Sequence, residues 1–128
     1  MSYGFTRQVD LSFEQALEKV TLELQKEGFG VLTEIDVQAT MKKKLNIDQN
    51  KYKILGACNP PLAHKAMSAD PLIGLLLPCN VVVFENKQGK TVVSAIDAKA
   101  MMSVVNRPEV ILIAEEVNKK LKRVIENI

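Results

Sequence analysis

Residues 79–96 read Cys79-Asn80-Val81-Val82-Val83-Phe84-Glu85, then Asn86-Lys87-Gln88-Gly89, then Lys90-Thr91-Val92-Val93-Ser94-Ala95-Ile96. The first run is Val-rich and suits a central strand. The four residues after it carry turn chemistry and end on glycine, and the second run returns as a partner strand. Strands joined by so short a turn are antiparallel. The sheet is therefore not the parallel core of a doubly wound nucleotide fold. No glycine-rich phosphate loop appears anywhere in the chain, which agrees.

The neighbouring segments extend this reading. Tyr52–Cys58 is a strand whose Tyr52, Ile54, Gly56 and Cys58 share a face, and Val31–Val37 alternates Val31, Thr33, Ile35 and Val37 against Leu32, Glu34 and Asp36. That alternation predicts one buried and one wet face. Tyr3–Val9 is a further short strand, and Gln38–Leu45 a short helix with Met41 and Leu45 in contact. Ser12 and Gln15 have capping-box spacing ahead of a stripe of Phe13, Ala16, Leu17, Val20 and Leu24, so a helix spans 13–27 and stops at Gly28. Asn106 and Glu109 repeat that spacing, with Pro108 in the first turn. A second long stripe follows through Val110, Ile113, Ala114, Val117, Leu121, Val124 and Ile125. Asn59-Pro60-Pro61 and Asp70-Pro71 are cap-plus-proline junctions. The predicted order is β-α-β(4)-α, an α+β fold of about five antiparallel strands with two long helices on one face.

The chain has 128 residues, enough for one domain over 1–128. Charged residues are 25% of it and hydrophobic ones 47%, a globular rather than disordered balance. The net charge of +2 and aromatic content of 5% argue against a nucleic-acid binder, which needs a strong basic field or stacking platforms. No apolar run approaches a membrane span and no secretory leader is visible, so no membrane partner and a cytoplasmic location are expected. Two cysteines make no disulfide framework.

Chemistry concentrates at two strand–loop corners. Cys58 ends a strand just ahead of a helix N-terminus, His64 lies about a turn into that helix, and Cys79 opens the Val-rich strand. Three functional readings follow. Cys58, His64 and Cys79 are ligands for a metal such as zinc, with water, Asp70 or Asp97 as the fourth. Alternatively Cys58 is a catalytic thiol that Cys79 resolves, as in a thiol-based oxidoreductase. In the third, the thiols line a pocket for a small ligand, with Asn59, Pro60, Asn80, Glu85 and Asp97 as binding residues. Against these stands the plain alternative of two packed cysteines and a surface histidine. Leu75–Leu77, Ile111 and Leu112 are more apolar surface than one core absorbs, which suggests a homodimer or a structural interaction module.

The stretch Gly56-Ala57-Cys58-Asn59-Pro60-Pro61-Leu62-Ala63-His64-Lys65-Ala66, followed by Asp70-Pro71 and by Gly74 through Glu85, resembles the signature of the prokaryotic family called domain of unknown function three-zero-two. The resemblance covers essentially the whole chain. It implies a TATA-binding-protein-like β-α-β(4)-α arrangement, and it implies that Cys58, Asn59, Pro60, Cys79 and Asn80 belong to the family motif. It implies no activity, and the fold name carries no DNA binding with it. The expectation drawn from residues and resemblance together is a small protein that binds a metal ion or small ligand at the Cys/His cleft. A thiol oxidoreductase and a dimeric interaction module are the alternatives.

Overall fold

The computed structural model describes residues 2–128. Five strands form one sheet: β1 (Gly4–Val9), β2 (Gly30–Asp36), β3 (Tyr52–Cys58), β4 (Cys79–Glu85) and β5 (Thr91–Ile96). Their order across the sheet is β1-β5-β4-β3-β2, with every neighbouring pair antiparallel. Two long helices, α1 (Phe13–Lys26) and α5 (Pro108–Glu126), close the β-α-β(4)-α order. Short insertions decorate it: α2 (Val37–Leu45), α3 (Pro60–Ala69), a 3₁₀ segment (Pro71–Leu76), α4 (Ala98–Met102) and a 3₁₀ turn (Ser103–Val105). The expected α+β class and strand number are what the structure has.

The hairpin at the centre closes through Asn86. Its side-chain oxygen accepts from the backbone N–H of Gln88 and Lys90, while Gly89 takes φ +74° to turn the chain back. Register then fixes the faces. Val81 opposes Ala95 and Val83 opposes Val93, Leu55 opposes Val81, and Ala57 opposes Cys79. All of these are buried. They meet Ala16, Val20 and Leu24 of α1 and Val110, Ala114, Val117, Leu121 and Val124 of α5 in a single core. The capping box of Ser12 and Gln15 is formed, and Gly28 takes φ +83° just past the helix end. Arg7 ties the far end of α5 to the sheet. Its Nη1 donates to the carbonyl oxygens of Ile125, Glu126 and Ile128.

Several local expectations are corrected. The regular alternation over 31–37 is broken by a bulge between Val31 and Thr33, so Val31 pairs with Ala57 on the core side while Thr33 and Ile35 pair with Gly56 and Ile54 on the other. Val37 begins α2 rather than ending the strand. No residue of α2 is buried, and Leu45 stands in solvent. Asn106 does not cap α5. It adopts the left-handed conformation at φ 55°, and Arg107 occupies the cap position without a side-chain bond. The surplus leucines divide: Leu76 and Leu77 pack on the core, whereas Leu75 is 82% exposed and Leu112 is also exposed.

Candidate functional site

The first corner to test is the one with the thiols. β3 delivers Cys58 to the start of α3, and Asn59 caps that helix by accepting from the N–H of Leu62 at 3.3 Å. The Asn59 amide donates to the Glu27 carbonyl at 3.3 Å, so a buried asparagine joins the end of α1 to the start of α3. Pro60 takes the first helical position and is exposed. Cys79 opens β4 directly across from Ala57, which leaves Cys58 one residue out of step with it. Both thiols are free. Cys79 is 4% exposed, and burial pushes its thiol up to about 11, with the neighbouring Cys58 adding to the rise. A thiol held protonated at neutral pH is a poor nucleophile. The space between the two cysteines is about 20 Å³, lined also by Phe29, Leu62, Met102 and Ile113. That holds no more than a water molecule.

His64 does not join them. It lies exposed on α3 and takes no part in lining that space. Among the described residues there is no group of three or more His, Cys, Asp or Glu side chains able to hold a metal ion. The set Cys58, His64 and Cys79 is thus not assembled as a zinc site. The physical reason is helical phase: the core claims Leu62, Ala63 and Ala66 of α3, which turns His64 outward.

The remaining candidates scatter. Asp97 is structural. Its carboxylate accepts from the N–H of Ala100 and from the Asn118 amide, and its carboxyl titrates below the usual range because these hydrogen bonds outweigh the cost of burial. Asn118 in turn accepts from the N–H of Ala98, locking α4 onto α5. Glu85 closes β4, where its backbone N–H donates to the Lys51 carbonyl at 3.0 Å. Only Asn80 reaches a sizeable concavity.

That concavity lies on the face of the sheet opposite α1 and α5. It is a groove of about 520 Å³ whose lining includes Thr6, Tyr52, Asn80, Val82, Phe84 and Ser94. Pairing places these side chains in rows across the strands. One row runs Ile35, Ile54, Val82, Ser94, Thr6, and the next Tyr52, Phe84, Val92, Gln8. Gly56, Asn80, Ile96 and Gly4 flank the first row on its other side. No Asp, Glu, Lys, Arg or His stands in these rows. Tyr52 and Phe84 stack with ring centroids 5.1 Å apart, and the hydroxyls of Thr6 and Ser94 share a hydrogen bond of 2.7 Å. Sequence reasoning missed Thr6, Tyr52, Val82, Phe84 and Ser94 as a surface. The signal was present: in the central strands both alternating sets of residues are nearly free of charge, which requires two covered or apolar faces.

A family model described as domain of unknown function DUF302 matches residues 5–128. The structure is similar to the crystal structure of an uncharacterized conserved protein DUF302 from Bacillus stearothermophilus. The two share 26% sequence identity and a TM-score of 0.92, over 99% of this chain and 98% of that one. No curated protein matches the sequence.

Proposed function

The chain belongs to the DUF302 family, a domain of unknown function, and from that premise we propose that it is a binding module that pairs with a second copy of itself through the helix-free face of its sheet. The observation that carries this reading is the uncharged character of five adjoining strands on a face that α1 and α5 leave open. In a chain with 25% charged residues, a solvated sheet face ordinarily carries its share of them. A surface of Ile35, Ile54, Val82, Phe84 and Ile96 gains by leaving water. An uncharged face also meets no like charge when opposed to its own copy. Five strands about 4.8 Å apart and six residues long present roughly 500 Å². Two such faces bury on the order of 1,000 Å², at the lower end for specific association. The expected affinity is therefore micromolar rather than nanomolar.

Light scattering across a concentration series tests this. The wild-type chain should pass from monomer to dimer in the micromolar range. Val82→Lys, at the centre of the open face, should stay monomeric with an unchanged circular dichroism spectrum. A wild-type chain that is monomeric at every concentration, or a Val82→Lys chain that still pairs, sinks the reading. No described helix is long and apolar enough to cross a membrane.

A further inference from the structure

We propose that the groove on the open sheet face is a binding site for a small uncharged amphipathic molecule, one with an apolar or aromatic body and a single hydrogen-bonding head. The groove lies on the face proposed above to pair, so the ligand and a second copy compete for it; the inference itself stands on different observations.

The first is size. At about 520 Å³ the groove has the volume of a small-molecule site, whereas the space between Cys58 and Cys79 does not. The second is how the backbone keeps it open. Gly4 lines the groove, and a Cβ there would stand 2.9 Å from Ser94 Oγ and 3.2 Å from the Ala95 carbonyl oxygen. A side chain at that position therefore intrudes on the polar end of the groove.

The third is the division of chemistry along it. Val82, Phe84 and Tyr52 offer apolar and aromatic surface at one side. Thr6, Ser94 and exposed Asn80 supply the polar groups. Thr6 and Ser94 spend one hydroxyl proton on each other, which leaves the second proton and further lone pairs unspent. A carboxamide beside them both donates and accepts. Such a set recognises a hydroxyl, a carbonyl or an uncharged arylamine head. It offers no counter-charge to a phosphate, carboxylate or ammonium, and desolvating an ion against it would be costly. A few placed polar groups within an apolar lining is the usual constitution of a ligand site.

The probe for the test is N-phenyl-1-naphthylamine, an uncharged aromatic amine that fluoresces on leaving water. Titrated into the full chain, it should show a saturable rise with one site per chain. Asn80→Ala removes a polar contact and leaves the core untouched; it should weaken binding roughly three- to tenfold. Val82→Trp fills the groove and should weaken it by about tenfold or more. Leu75→Ser, at an exposed apolar residue outside the groove, should change nothing. The anionic anilinonaphthalenesulfonate should bind at least about tenfold more weakly than the uncharged probe. The proposal is overturned by a non-saturable signal, by binding that neither groove variant alters, by loss on Leu75→Ser, or by equal or tighter binding of the anionic probe. Because ligand and second copy compete for one face, light scattering separates the two readings only at two concentrations. A probe-free chain that is monomeric at every concentration refutes pairing alone, and a chain diluted until it is monomeric that still fails to bind the probe refutes the groove alone.

Discussion

Gly56 shows how the lack of one side chain decides what can stand on the open face of this sheet. A Cβ built on it would overlap Thr33 Oγ1 and come within 2.7 Å of Pro78 Cγ. The constraint is one of space and not of backbone angle, since the residue sits within a regular strand. Gly56→Ala should therefore cost about 1–3 kcal/mol through overpacking. Thr33→Ala should restore part of that loss, because it removes the nearer obstacle. Urea unfolding of both singles and the double variant reads the coupling, and strictly additive costs would show that the Thr33 contact is not the cause. Cys79 makes a second prediction at this scale. Its thiol is raised from an ordinary value of 9.0 to about 11, so the folded state disfavours the thiolate. The corresponding stability is fully present below about pH 9 and is lost as pH climbs toward 11. Two units correspond to about 3 kcal/mol at most. The fall in stability between about pH 8.5 and 11 should be smaller in Cys79→Val than in wild type, and equal falls would assign it to other groups. The sequence made Cys79 visible as chemistry, but the buried environment that quiets it arises from Leu62, Met102 and Ile113, which approach only after folding.

Among the elements, legibility tracked how local the controlling interaction is. The hairpin at Asn86–Gly89 and the Ser12–Gln15 box are decided within four residues, and both are read correctly from the sequence. Residues 31–37 are read as a simple alternation because the bulge at Val31/Thr33 is imposed by pairing with β3, with Gly56 leaving room for Thr33 on its face. Asn106 and Glu109 have the right spacing for a cap, yet the 3₁₀ turn arriving from α4 puts Asn106 in the left-handed region and hands the cap position to Arg107. Arg107 is then held by its own long-range bond, Nη1 to the Ala69 carbonyl at 2.8 Å. Asn59 is the opposite case, where a cap read from sequence carries a second role. Asn59→Ala removes both the bond from Leu62 N–H and the bond to the Glu27 carbonyl, and should cost about 1–2 kcal/mol. Asn59→Asp keeps the acceptor for the cap but loses the donor, so it should fall between the two in urea unfolding. An aspartate variant as stable as wild type would show that the link to α1 contributes nothing.

For the molecule as a whole, the sequence conveyed the fold far better than the working surface. Chemistry-bearing residues draw attention, and Cys58, His64 and Cys79 are near in sequence, but helical phase turns His64 out into solvent while the two cysteines line one small, largely apolar space. The open face was harder to see because it consists of unremarked Ile, Val, Ser and Thr residues from all five strands, united only by register. Its lack of charge leads to a prediction about the whole assembly. The chain carries 17 basic and 15 acidic residues, but none stands in the rows proposed to pair. Ions then have little to screen at the contact, and the small net charge of +2 leaves little long-range repulsion between copies. Raising sodium chloride from about 50 to 500 mM, which shortens the screening length by about threefold, should change the dimer dissociation constant by less than about threefold. Cooling should weaken pairing, because the negative heat-capacity change of apolar burial makes association endothermic in the cold. Sedimentation equilibrium at both salt concentrations and at two temperatures decides this. A dissociation constant that rises by tenfold or more with salt would move the contact away from the sheet face and onto the charged surfaces of α1 and α5.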